Sequence, residues 1–281
     1  MIHHIICHGG DCPARRRNLD WVRGRYPAAV VAEYGTRLIP DAIHVPSDGP
    51  FPRGRCFNAA VRAICPRPDD VLLLQDSDMF LCDTAQALID HEMQSGMLGT
   101  VVDVILPYHR CRDMSAQQTA AVLLGGAVPK LNSIPVRTWG NRKLVNYGGI
   151  LAITARAYAD IRGYDERFGG WGGEDLAMWH VISQLLRAKR YSVGLDAIHL
   201  WHPLCKKASS QNVKVYQEII NLSGEKLKKY LETKPPIMEG QQNDTARHTR
   251  PGSTPFSSRI PDDFYCRSDL ENLCHPGSNP Y

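Results

Sequence analysis

The chain contains no apolar run of transmembrane length, so a membrane-crossing helix is not expected from its sequence. Its opening residues, MIHHIICHGG, are too short and too rich in histidine for a signal peptide. The nine cysteines are odd in number and scattered, without a CxxC pair. That argues against a disulfide framework and for reduced thiols. Net charge is only +4, too little by itself to argue for nucleic acid. No internal repeat is visible. These absences lead to the expectation of a cytoplasmic protein. At 281 residues, 43% hydrophobic and 22% charged, the chain can bury a full core as one large domain, or one domain with a tail.

Helix and strand candidates alternate through the first half. Strands are expected over 2–7, 28–33, 43–45 and 70–75, and helices over 13–26 and, after a loop, up to residue 64. DVLLLQ (70–75) is a continuous apolar run, as a strand buried on both faces of a parallel sheet reads. The class is therefore α/β with a mostly parallel central sheet. Asp83 is expected to cap a helix running to Gln94. A strand is expected over 99–106, loops and one short helix over 107–145, a strand over 148–153, and a helix opened by Thr154. A strand over 191–201 and one helix over 212–231 complete the pattern. From Thr233 onward Pro, Ser, Asn, Gln and Asp dominate, which predicts a domain over 1–232 and an irregular tail over 233–281.

The most informative stretch is FGGWGGEDLAMW, 168–179. Leu176, Trp179, Ile182 and Leu186 recur at helical spacing, so Glu174 and Asp175 fall in a first turn. There the helix dipole and free N–H groups favour ionised carboxylates. Gly172 and Gly173 permit close backbone approach, and Trp171 offers a flat apolar platform such as a sugar ring needs. The plain alternative is a glycine-rich turn before two ordinary helix carboxylates.

Other residues carry chemistry in pairs. Asp76 and Asp78 follow the 70–75 strand, where ligands bind in open α/β sheets, and two such carboxylates suit a hard divalent cation. A solvated loop is the bland reading of the same residues. His199 and His202 close another strand candidate, and imidazoles with carboxylates suit Mn2+. Alone, the two histidines read equally as one core and one surface side chain. Arg15, Arg16 and Arg17 oppose the dipole of the helix they open, so either solvation or an anion such as a diphosphate accounts for them. Arg53 and Arg55 stand at the entry of the next helix. Paired carboxylates also admit a glycosidase reading, although Asp76 and Asp78 are too close in sequence to flank a bond readily.

Taken jointly, FPRGRCFNAA, VLLLQDSDMFL, NYGGILAIT, GYDERFGGWGGEDLAMW and HLWHP resemble the GT-A fold glycosyltransferases. The likeness is to the β-galactosyltransferases and the chondroitin-synthase-type enzymes, over roughly residues 51 to 80 and 146 to 207. It implies a Rossmann-like nucleotide-sugar-binding fold. It implies that Asp76 and Asp78 form a DxD motif that binds Mn2+ (or Mg2+), with His202 as a further ligand. His199 falls on another ligand position, where the galactosyltransferases carry methionine. Asp175 falls on the catalytic base, with Glu174 beside it in an acceptor site that includes Trp171, Gly172 and Gly173. Arg53, Arg55 and Asn58 fall on the donor side, as do Tyr147, Gly148 and Gly149. Two positions depart from the pattern. Cys7-His8-Gly9-Gly10 stands where Pro-Phe-Arg is usual, and Asn146 stands where galactosyltransferases have tyrosine.

The expected activity is metal-dependent, inverting transfer of a sugar from a nucleotide-sugar donor, a UDP-sugar, to an acceptor hydroxyl. No membrane partner is expected, and the bacterial cytosol or a phage-infected host cell is the expected setting. The acceptor is a saccharide or, given the arginine clusters and the basic segment 137–143, a hydroxymethylated pyrimidine in DNA. A noncatalytic nucleotide-sugar- or glycan-binding module is the remaining alternative.

Overall fold

A computed structural model of the protein describes residues 1–10, 12–36, 38–46, 49–139, 142–143, 148–170, 172–190, 195–203 and 210–238. The first strand, β1 (Ile2–Gly9), buries both of its faces. Ile5 and Cys7 enter one core, and Ile6 enters a second on the opposite side. Pro13 starts α1 (Pro13–Arg25), where its missing N–H costs nothing. β2 (Val30–Tyr34), β3 (Ile43–Val45), α2 (Arg53–Ile64) and β4 (Val71–Asp76) follow in the alternation that the sequence predicts. Next come β5 (Met79–Leu81), α3 (Asp83–Gln94), a kinked turn α4 (Met97–Thr100), β6 (Val104–Leu106), β7 (Arg110–Asp113) and α5 (Ala116–Leu123). A small hairpin, β8 (Thr138–Trp139) with β9 (Arg142–Lys143), precedes β10 (Ile150–Thr154). The remaining elements are α6 (Ala155–Asp160), α7 (Glu174–Leu185), β11 (Ala188–Arg190), β12 (Asp196–His199), α8 (Ser210–Ile220) and α9 (Gly224–Glu232).

Seven strands form the central sheet in the order β11-β6-β10-β4-β1-β2-β3. Its pairs are parallel except those of β10, which runs antiparallel to both β4 and β6. Registers Cys7↔Asp76, Gly9↔Tyr34 and Tyr34↔Val45 align the carboxyl ends of β1 to β4 along one edge. Because β10 is reversed, its amino end reaches that same edge. Asp76 N–H donates to the Gly149 carbonyl (2.8 Å). A second sheet, β5-β12-β7, stands beside this edge.

Several sequence expectations are corrected. Asp83 is not the cap of α3; Cys82 holds that position without a side-chain bond, and Asp83 pairs with Arg25. Thr154, in contrast, does cap α6, accepting from the Ala157 N–H (3.2 Å). The 99–106 strand shrinks to Val104–Leu106, since Gly96 and Gly99 take left-handed backbone. The 212–231 helix is two helices, broken at Ser223-Gly224 where Gly224 has φ +52°. The buried residues of α7 are Ala177, Met178, Val181 and Ile182; of the expected row only Ile182 is fully buried, while Trp179 and Leu186 pack partly buried against the core. Leu176 is only half-buried, and α7 packs on α8. The strand expected over 191–201 is Asp196–His199 in the described part, and 191–194 lie outside the described residues. β7 falls in a segment expected to be loop. Cys7, Cys12, Cys56, Cys65, Cys82 and Cys111 are free thiols. Of the segment after residue 232, 239–281 lie outside the described residues, while Ile237 is buried against the core.

Candidate active site

The small sheet gathers one cluster. His199, the last residue of β12, is in register with Met79 of β5 and Asp113 of β7. Asp78 directly precedes β5, and its carbonyl accepts from Leu200 N–H (2.8 Å). The carboxylate of Asp78 therefore faces both histidines. Its Oδ2 is 3.2 Å from His202 Nε2, and its Oδ1 is 3.8 Å from His199 Nε2. Burial opposes the charge on Asp78, yet the bond from His202 and the nearby His199 and Arg15 hold its pKa well below the usual carboxylate value. Asp78, His199 and His202 place ligand atoms within 4.8 Å of one another. One carboxylate and two imidazoles fit a divalent cation such as Mn2+. Arg15 lies against this group, 3.9 Å from Asp78 and with its NH2 3.2 Å from His202 Nε2.

A second cluster sits at the end of β4. Arg53, in the first turn of α2, is only 8% exposed and bridges two carboxylates. Its Nε donates to Asp76 Oδ1 and its NH1 to Asp175 Oδ1. The guanidinium also lies over the rings of Phe57 (5.0 Å) and Tyr164 (5.5 Å). Burial disfavours its charge, but Asp175 and Asp76 lift its pKa well above the ordinary arginine value. Burial, helped by Asp78 and Asp175 and opposed by Arg53, pushes the Asp76 carboxyl up to about 6. Asp76 thus faces Arg53 and stands outside the group of three candidate metal ligands.

Asp175 reaches this cluster because α7 starts after a glycine turn. Gly173, the residue before the helix, has φ +92°, which side-chain-bearing residues rarely adopt. Asn212 of α8 holds the turn, accepting from Gly169 N–H (3.1 Å) and donating to the Gly172 carbonyl (2.9 Å). Gly148 admits the carboxylate of Asp175 into space that a Cβ would fill. Tyr164 donates to Asp175 Oδ1 at 3.3 Å. Beside it, Glu174 Oε2 is buried without a hydrogen-bond partner among the described residues. Burial first, then the neighbouring Asp175 charge, raises the Glu174 carboxyl to about 7.

A cleft of about 230 Å³ opens at the ends of β1 and β2, lined by His8, Gly10, Arg16, Arg17, Glu33 and Tyr34 among others. Arg16 and Arg17 thus border a cavity, while Arg15 borders the metal-binding side chains. Arg137, from the basic segment, is committed to Asp113 by a bidentate pair.

With this geometry in view, the chain can be set beside known proteins. Residues 140–201 match the sequence profile of a family described as the N-terminal domain of galactosyltransferase. Over that stretch the chain is similar to the galactosyltransferases. The stretch contains Asp175 and His199, whereas Asp76, Asp78 and His202 lie beyond its ends. No curated protein sequence matches the chain. Solved structures that resemble it include the catalytic domain of Drosophila beta1,4galactosyltransferase 7 in complex with xylobiose, at 12% identity and a TM-score of 0.39, covering 80% of this chain and 82% of that one. GalNAc-T7 with UDP, GalNAc and Mn2+ is similar at 12% identity and a TM-score of 0.47, covering 82% of this chain and 49% of that one. S. aureus TarS is similar at 11% identity and a TM-score of 0.42, covering 70% and 60%.

Of the residues singled out in the sequence, Arg53, Asp76, Asp78, Gly148, Gly149, Glu174, Asp175, His199 and His202 border the two clusters or the edge that joins them. Asn58 does not. It is 1% exposed, and it bonds Tyr158, Glu166 and both the N–H and the carbonyl of Tyr164. It therefore shapes the turn that carries Tyr164. Arg55 is half-buried on α2. Tyr147 and Trp171, with Asn146, lie outside the described residues. The sequence reading passed over Tyr108, whose hydroxyl donates to the Gly148 carbonyl, and also Tyr164, Asn212 and Asp113. No local pattern marks any of the four; Tyr108, Asn212 and Asp113 act on partners far away in the sequence, and Tyr164 on Asp175, 11 residues on.

Proposed function

We propose that the protein is a metal-dependent, inverting glycosyltransferase that moves a sugar from a UDP-sugar to the hydroxyl of a saccharide acceptor. The observation that carries this reading is the joining of two sites at one sheet edge. Asp78, which groups with His199 and His202 as candidate cation ligands, stands two residues from Asp76, which Arg53 ties to Asp175. The galactosyltransferase profile match over 140–201 supports the same reading.

A divalent cation, Mn2+ (or Mg2+), supplies positive charge to the departing diphosphate when it is bound there. The chain's own groups do the rest. The cleft at the ends of β1 and β2 takes the nucleoside, with Arg16 and Arg17 at its wall. Arg15 offers a cation to phosphate oxygens beside the metal ligands. Asp175 is the base. Among the described residues both of its hydrogen bonds fall on Oδ1, which leaves Oδ2 to take the acceptor proton as the hydroxyl attacks the anomeric carbon. Arg53 and Tyr164 fix the direction of that carboxylate. Glu174, with an unsatisfied Oε2, binds a second acceptor hydroxyl.

The test is a screen of nucleotide sugars with Mn2+ and saccharide acceptors, with the anomer of each product read by NMR. Transfer from a UDP-sugar with inversion is expected. Transfer with retention would remove Asp175 as base. Absence of both transfer and donor hydrolysis across the screen would overturn the enzyme reading.

A further inference from the structure

His199 stands between two carboxylates. Its Nε2 faces Asp78 Oδ1 at 3.8 Å, and its Nδ1 faces Asp113 Oδ1 at 3.1 Å. The second contact is within hydrogen-bond range and the first is not. Asp113 is itself immobilised. Arg137 Nε lies 3.1 Å from its Oδ1 and 2.9 Å from its Oδ2, and a third bond comes from Arg137 NH2 (2.5 Å). Backbone bonds fix both partners. Arg137 N–H donates to the Cys111 carbonyl (2.8 Å), and Asp113 N–H donates to the Pro135 carbonyl (3.0 Å). The register His199↔Asp113 sets the imidazole opposite the carboxylate.

A carboxylate held charged by a guanidinium accepts a hydrogen bond and cannot donate one. Nδ1 of His199 must therefore carry its proton, and Nε2 of the neutral ring is left with a lone pair. That lone pair points toward the Asp78 carboxylate, another acceptor. Two acceptors facing each other across 3.8 Å are matched by a cation between them. We propose that Asp113, clamped by Arg137, is a positioning residue that fixes the tautomer and direction of His199 and so makes its Nε2 a metal ligand. The proposal rests on the metal-site reading above and adds the chain Arg137–Asp113–His199 to it.

The experiment has two readouts on the full chain. The first is Mn2+ affinity by calorimetry for the wild type, Asp113→Ala and Arg137→Leu, each checked for folding by circular dichroism. Loss of an outer partner of a ligating histidine typically weakens metal binding about 10- to 100-fold, and that loss is expected for Asp113→Ala. Arg137→Leu is expected to weaken Mn2+ binding in the same direction but less, because Asp113 stays while its clamp goes. The second readout is taken on the wild-type protein. Long-range proton–nitrogen NMR on the metal-free wild type at about pH 8, where an unperturbed imidazole is neutral, reads the His199 tautomer. The signal is assigned by its loss in His199→Gln. Nδ1 protonated and Nε2 bare is expected, and a merely structural contact would not require it. An Nε2-protonated ring, or folded Asp113→Ala with Mn2+ affinity within about twofold of wild type, well short of the expected loss, would overturn the proposal. Wild-type protein that binds no Mn2+ at all would overturn the metal-site reading, and this proposal with it.

Discussion

Replacing Arg53 by Met removes a cation that both Asp76 and Asp175 touch. The side chain is 8% exposed, and its partners are 26% and 29% exposed, so water screens the pairs poorly. Removing one partner of a buried ion pair costs about 3–5 kcal/mol, because the other charge stays buried and unpaired. For a domain of this size that corresponds to a fall in Tm of roughly 6–20 °C. The pH dependence gives the sharper test. In the wild type the Asp76 carboxyl is already raised to about 6, above the ordinary value of 3.8. A carboxyl raised on folding binds a proton in the native state at pH values where the unfolded chain has released it. It therefore weakens the fold above its folded pKa, and that cost is relieved as pH falls through it. Without Arg53 the Asp76 carboxyl rises further, so the cost grows at high pH. Below about pH 6 the carboxyl is neutral in both proteins and the ion pair matters less. Thermal melts of wild type and Arg53→Met are thus expected to differ more at about pH 8 than at about pH 5. Arg53→Lys keeps the charge but reaches one carboxylate, and should fall between. An equal deficit at both pH values, or none at the higher one, would refute the electrostatic account of this cluster.

Asp175→Asn should keep Mn2+ binding by calorimetry and lower transfer by about a hundred- to ten-thousandfold, the usual effect of losing a general base; steady-state kinetics near the wild-type rate would remove it from that role. Gly148→Ala should place a methyl on the Asp175 carboxylate and push it aside, with transfer falling about a hundredfold while Mn2+ affinity is unchanged. Asp78→Ala and His202→Ala should each abolish Mn2+ binding in calorimetry without unfolding the protein, and His199→Ala should weaken it less. His4 is held by burial at about 4, with a bond to Gln75 working against that shift. Its folded pKa lies below the ordinary 6.5, so stability should be lost as pH falls from 6.5 toward 4. His4→Gln should flatten that acid slope in melts taken across the same window.

Local pattern was enough for the elements whose faces are apolar and regular. DVLLLQ reads as a strand buried on both sides because its side chains are uniformly apolar, and Asp76 and Asp78 follow it where a parallel sheet presents its ligand edge. The two adjacent carboxylates of α7 were legible for a similar reason, because the glycines before them mark where the helix must begin. β7 was not legible. Its sequence is RCRD, with no apolar alternation, since Arg110 and Arg112 turn onto the buried carboxylate of Asp196 at 2.6 and 2.5 Å. A strand stabilised by ion pairs leaves no hydrophobic period to read. The same applies to the contacts that complete the site. Arg53 meets Asp175 from 122 residues away, and Asp113 meets His199 only through the pairing of β7 with β12. Residue types and short spacings named the candidate ligands, and the resemblance to the GT-A glycosyltransferases named the candidate base. Which carboxylate turned to the metal-binding side chains and which to arginine was decided by the reversed β10, the second sheet and the clamp of Arg137, because a side chain's partner depends on strand register between distant segments and not on its neighbours in the chain.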